Sequence, residues 1–139
     1  MRSYSVDDLA QPLAHYPHAR RVGNLIFVSG VSCRQPDNSH KGVTIHEDGT
    51  VEKDIKVQAE AVFENIEAIL KEADASLDHL VDVTVFLVDM DDYAAFNEVY
   101  NTYFPAGGGP TRTAVGVREL PHPNLLVELK VVGYAPASP

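Results

Sequence analysis

From Asp54 onward, Ile55, Ala59, Val62, Phe63, Ile66, Ile69, Leu70 and Ala73 recur at helical spacing, while Lys56, Glu60, Glu64, Glu67 and Lys71 take the other side. A helix with so wide an apolar stripe is stable only against another layer. The chain supplies that layer as strands. Leu25 to Val31 is a short branched run after the Gly23-Asn24 turn signal, with Arg20 to Val22 as the other arm of a hairpin. Val81 to Val88 reads as a buried strand with Asp82 and Thr84 on one face, and two more strands are expected after the Gly107–Gly109 loop. A second helix, capped by Asp89 or Asp91, turns Tyr93, Phe96, Val99, Tyr100 and Tyr103 inward and stops at Pro105. Cys33 to Thr50 is rich in Pro, Asp, Asn, Ser and Gly and reads as a polar loop, with a minor strand at Val43 to Ile45. The order strand, strand, helix, strand, helix, strand, strand gives an α+β fold, a single mixed sheet with two helices packed on one face. The other face stays uncovered. Strands such as Leu125 to Val132, apolar on both faces, therefore predict self-association.

The 139 residues fit one domain, 1–139, with no repeat or linker. Acidic residues outnumber Lys and Arg 20 to 11, a formal charge of -9, so the overall field argues against nucleic acid or an anionic membrane as a partner. An anionic ligand must meet a local basic pocket instead. The single cysteine, Cys33, excludes an internal disulfide and any multi-cysteine metal site. No apolar leader or long apolar run is present, and a cytoplasmic location is expected.

The chemistry concentrates between Pro110 and Glu128, which reads as two strands joined by a Pro-rich turn. Arg112 follows the Gly107-Gly108-Gly109-Pro110 loop and offers a planar, permanently charged fork that suits a carboxylate. Glu128 is the odder residue, because Leu126, Val127 and Leu129 around it would bury it. A buried carboxylate either pairs with a cation and donors or serves chemistry. On these residues alone, a structural ion pair across a hairpin and a reactive site are both open. Other features read blandly. His15 and His18 are split by Pro17, which breaks the helix a metal pair would need, and no third ligand is evident nearby, so no metal is expected. Gly107 to Gly109 lacks the Lys and helix of a phosphate cradle. Cys33 reads as a loop-edge thiol and His122 as a turn residue.

Three stretches carry a family resemblance: Tyr16 to Gly30, Phe86 to Tyr100 and Pro110 to Glu128. They resemble, in order, the signature blocks of the RidA/YjgF family of reactive enamine/imine deaminases. The resemblance implies a chorismate-mutase-like fold and a homotrimer whose sheets face a central barrel, with active sites in clefts between subunits. It implies that Arg112 binds the substrate carboxylate, that Glu128 holds the attacking water, and that Asn97, Tyr16, Ser29 and Gly30 line the cleft. Ala114 departs from the pattern, standing where many members place a cysteine. Within the family, the Arg34-Gln35-Pro36-Asp37-Asn38 loop, the His18 to Arg21 run and the Leu120 to Pro123 turn resemble the 2-aminomuconate deaminase branch. That six-carbon dicarboxylate needs a second cation, for which Arg34 and Arg20 are the foremost candidates beside Arg21 and His18.

The expected activity is hydrolysis of a small carboxylate-bearing enamine or imine, 2-aminomuconate to 4-oxalocrotonate plus ammonia. No cofactor is called for, because an imine carbon is already electrophilic. A general deaminase of 2-aminoacrylate-type imines is the alternative within the enzyme class. A non-catalytic carboxylate-binding trimer is a rival, which Glu128 disfavours because an anion binder gains nothing from a second carboxylate. An endoribonuclease, an activity sometimes ascribed to this fold, is disfavoured by the charge of -9.

Overall fold

The computed structural model describes residues 1–137. Ten elements follow one another: β1 (Arg2–Tyr4), β2 (Ala19–Val22), β3 (Leu25–Val28), β4 (Val43–Ile45), β5 (Val51–Lys53), α1 (Ile55–Glu72), β6 (Leu80–Leu87), α2 (Tyr93–Tyr103), β7 (Thr111–Gly116) and β8 (Val127–Tyr134). The predicted α+β architecture is present, a six-stranded sheet ordered β1-β2-β3-β8-β6-β7 that carries both helices on one face. Asp54 caps α1, its carboxylate accepting from the amides of Lys56 and Val57. Before α2, Asp89 caps a short 3-10 turn, Met90–Asp92, by accepting from the amide of Asp91. Between the layers, Phe63, Ile66 and Leu70 of α1 and Phe96 of α2 pack on Ile26, Val28, Val83, Val85, Leu87, Val127, Leu129 and Val131 of the sheet, all fully buried. Phe63 also stacks on Tyr103, ring centroids 4.4 Å apart.

Several boundaries differ from the sequence reading. β1 and β5 were not expected. β1 is three residues at the sheet edge, paired with β2, and β5 closes a separate two-stranded hairpin with β4. β8 runs to Tyr134 rather than Val132, and its faces differ: Val127, Leu129 and Val131 are buried, whereas Glu128, Lys130 and Val132 are half-buried on the far side. Apolar residues therefore do not fill both faces of this strand. The uncovered face still carries Val22, Leu25, Phe27, Val115 and Tyr134, each at least 38% exposed.

The larger correction concerns the Pro110 to Glu128 run. β7 and β8 do not form a hairpin, because β6 lies between them, parallel to β7 and antiparallel to β8. Chain order misleads here. β7 enters the sheet only after the α2 crossover and takes the edge, so the chain passes over β6 to begin β8.

Two buried polar side chains fix this topology. Arg21 donates to the Tyr4 hydroxyl at 3.0 Å, the Ala135 carbonyl at 2.6 Å and the Ala73 carbonyl at 2.7 Å. It is thus a structural arginine, not a free cation for a second carboxylate. Gln58, fully buried on α1, donates to the Asn124 carbonyl and accepts from the Leu126 amide, both at 2.9 Å. That clamp holds the entry to β8. Gln58→Leu leaves two backbone groups without partners and is expected to cost about 2–4 kcal/mol of folding stability. An unchanged urea midpoint would show that the clamp is dispensable.

Candidate active site

Registered partners in a ladder share a face of the sheet. Arg112 pairs with buried Val83 and therefore points to the helix side, whereas Glu128 pairs with Phe86 on the open side. The two residues lie two strands and three residues apart, about 14 Å between Cα atoms from ladder spacings, and on opposite faces. Neither is in any ion pair among the described residues, which are Lys41–Glu64, His46–Glu52 and Lys56–Glu98. The hairpin ion pair is excluded.

Arg112 is held by neutral groups. Its Nη1 donates to Asn97 Oδ1 at 2.8 Å and its Nη2 to the Tyr93 hydroxyl at 3.0 Å. The guanidinium carbon lies 4.7 Å from the Tyr100 ring centroid and 5.6 Å from that of Tyr93. Tyr93, Asn97 and Tyr100 are spaced i, i+4, i+7, one face of α2. The sequence reading put both tyrosines on the apolar face and missed this duty, although an Asn between two Tyr at that spacing was the available signal. The arginine is oriented without being neutralised, in a protein of formal charge -9.

Glu128 lies against Gly30. A Cβ built on Gly30 would stand 3.2 Å from the Glu128 Cδ and 3.2 Å from its Oε1, so the glycine makes room for the carboxylate. Burial pushes the pKa of Glu128 above its ordinary value. The flanking Val127 and Leu129 are not the cause expected of them, since they point to the other face. The sequence reading also had this carboxylate ionised beside Arg112, an arrangement that one copy of the chain does not contain.

Gly30 also borders a cavity of about 60 Å³ on the helix side, with Tyr16, Ser29, Arg34 and Asn65 among its walls. Tyr16 is 47% exposed. Ser29 Oγ donates to the Pro17 carbonyl at 2.7 Å. Arg34 donates to Asn38 Oδ1 and to the Gln11 carbonyl, each at 2.6 Å. Asn65, missed from sequence, donates to the Ser32 carbonyl at 2.9 Å and props the loop that carries Arg34. Arg20 lies elsewhere, exposed on β2 opposite Phe27.

One chain thus holds two separate groups: Arg112 with Asn97, Tyr93 and Tyr100 at the β7 edge, and Glu128 against Gly30 at the end of β3, with Ser29 and Tyr16 on the helix-side cavity that Gly30 also borders. The family model described as Endoribonuclease L-PSP, that of the RidA/YjgF proteins, matches residues 8–135. The chain belongs to the RidA/YjgF family. A RutC family protein from Pyrococcus abyssi is 42% identical over 124 residues, 89% of each chain. The mitochondrial protein MMF1 of Saccharomyces cerevisiae is 39% identical over 125 residues, 89% of this chain and 78% of the relative. A crystal structure of E. coli TdcF with bound serine superposes with a TM-score of 0.79 at 26% identity, covering 96% of this chain and 98% of that one. The match establishes the family as a whole.

Other groups in this RidA/YjgF chain are structural. His18 is buried, its Nδ1 accepting from the Val6 amide at 3.0 Å, so its Nε2 carries the proton and donates to the Ala10 carbonyl at 2.9 Å. Among the described residues, no three His, Cys, Asp or Glu side chains gather where they could hold a metal ion. Cys33 is fully buried rather than at a loop edge, and burial pushes its pKa up to about 11, which makes it a poor nucleophile. His122 accepts from the Asn124 amide and packs on His40, ring centroids 4.2 Å apart, as a turn residue does. No helix among the described residues is long and apolar enough to cross a membrane.

Proposed function

We propose that the protein hydrolyses an enamine or imine carboxylate in clefts formed between copies of the chain, each cleft taking the Arg112 group from one copy and the Glu128 group from the next. The observation that carries this reading is the pair of charges left unneutralised among the described residues: an oriented arginine without a counter-anion, and a desolvated carboxylate without a cation. Each is costly alone, and each is accounted for if a second copy and a ligand complete it. A homotrimer of the kind found in this family, with the open sheet face turned inward, supplies that second copy.

In this reading the substrate carboxylate docks on Arg112, which fixes the adjacent imine carbon. Glu128 accepts a proton from the water as the water oxygen bonds to that carbon and passes it to the imine nitrogen, giving the neutral carbinolamine. Glu128 then takes the carbinolamine hydroxyl proton as the carbonyl re-forms and gives it to the nitrogen as the C–N bond breaks, releasing ammonia. Imine plus water gives ketone plus ammonia, in balance. Asn97 and Tyr93 hold the guanidinium plane, while Tyr16, Ser29 and Gly30 form the opposite wall. Arg112→Ala and Glu128→Gln proteins, each inactive alone, are expected to regain ammonia release when dissociated and reassembled together. Random mixing in a closed ring restores about a quarter of the clefts. No recovery would overturn the shared cleft.

The finer substrate is 2-aminomuconate, supported by the Arg34 loop and the His18 to Arg21 run. A short 2-aminoacrylate-type imine is the second reading. It is favoured by the relative TdcF, whose crystal structure holds serine, a three-carbon amino acid, and by the bonds that already engage Arg34. Ammonia release from the two substrates, compared on one preparation, separates them. The endoribonuclease description of the family model has the net charge of -9 against it.

A further inference from the structure

We propose that Lys130 binds a second carboxylate of the substrate and makes the cleft selective for dicarboxylates, an inference that rests on Arg112 taking the first carboxylate and Glu128 the water. Lys130 follows Glu128 by two residues on β8 and pairs with Thr84, so both side chains leave the same open face. Their Cα atoms stand about 7 Å apart, so Lys130 flanks the carboxylate that holds the water. Its Nζ donates to the carbonyl of Val28, the last residue of β3, two positions before the Gly30 that accommodates the Glu128 carboxylate. Ammonium and carboxylate therefore meet at the same strand end.

The ammonium is not satisfied there. It has three donors and a single acceptor among the described residues, and no carboxylate lies within ion-pair reach of it. Burial pushes its pKa down, the cost of a desolvated cation without a counter-charge. The cations named from sequence are less well placed. Arg34 borders the helix-side cavity and is engaged by Asn38 and Gln11, while Arg20 sits on β2 opposite Phe27. Phe27 in turn faces Val132 across β3 and β8, which leaves an apolar stretch between Arg20 and the Glu128 row.

Two unreactive six-carbon dienoic acids test this by calorimetry on the full chain: muconate, with a carboxylate at each end, and sorbate, with one. The wild type is expected to bind muconate on the order of 10-fold or more tightly than sorbate, as one charged hydrogen bond provides. Lys130→Met, which keeps the apolar stem, should abolish that preference and leave sorbate affinity unchanged; Lys130→Arg should retain it. Equal affinity in the wild type, or a preference that survives in Lys130→Met, overturns the role of Lys130. Should Lys130→Met lose its cooperative melt, the Lys130→Arg and Lys130→Gln pair gives the same decision. Sorbate binding that is absent from the wild type, or indifferent to Arg112→Ala, overturns the Arg112 reading beneath it.

Discussion

Glu128→Gln is expected to lower kcat by roughly 10²–10⁴-fold while ligand affinity survives, because the amide keeps the size and much of the hydrogen bonding but cannot accept the water's proton. The same substitution should leave the melting temperature at neutral pH equal to or above that of the wild type. A carboxylate whose folded-state pKa is raised binds its proton more tightly in the folded chain than in the unfolded one. Its contribution to stability is complete below the unfolded value and is lost as pH rises through the folded value. Wherever the wild-type carboxylate is ionised it bears the cost of a desolvated anion, and glutamine bears none. A structural ion pair would give the opposite sign, since removing it strands a buried cation. Full turnover in Glu128→Gln would show that another group activates the water.

Arg112→Lys is the second large effect. Lysine keeps the charge but loses the fork, together with the donors to Asn97 and Tyr93 that hold it flat against α2. The loss is expected to be on the order of 1–3 kcal/mol in kcat/KM, about 5- to 150-fold. Both groups leave their residues partly exposed, so the melting temperature should move little. Unchanged kinetics with a carboxylate substrate would remove Arg112 from the site.

Much of this was legible in the chain itself. The apolar stripe that follows Asp54 located α1, and the branched run along Val81 to Val88 located the interior strand β6. The individual chemical residues could also be singled out, because an arginine beside a glycine loop and a glutamate in an apolar strand stand out against their neighbours. Their relation could not be read. Adjacency in sequence said hairpin, whereas insertion of β6 between β7 and β8 is a long-range choice made by the α2 crossover. Face assignment failed for a related reason. Alternation tells which residues share a face, but only the ladder shows that Val83 brings Arg112 to the helices and Phe86 takes Glu128 away. Tyr93 and Lys130 were passed over because the first suited a helix core and the second lay in a strand read as apolar on both faces. Their contacts come from elements 19 and 102 residues away in sequence.

The buried guanidinium of Arg21 ties the first strand, the end of α1 and the residue after the last strand to a single point. β1 and Ala135, far apart in sequence, are thereby drawn together. A short link from Ala135 back to Arg2, with the backbone opened at the exposed Gly49 turn between β4 and β5, would keep every strand pair of the six-stranded sheet. What binds the sheet at that end is thus one side-chain hub rather than the peptide path that leads to it.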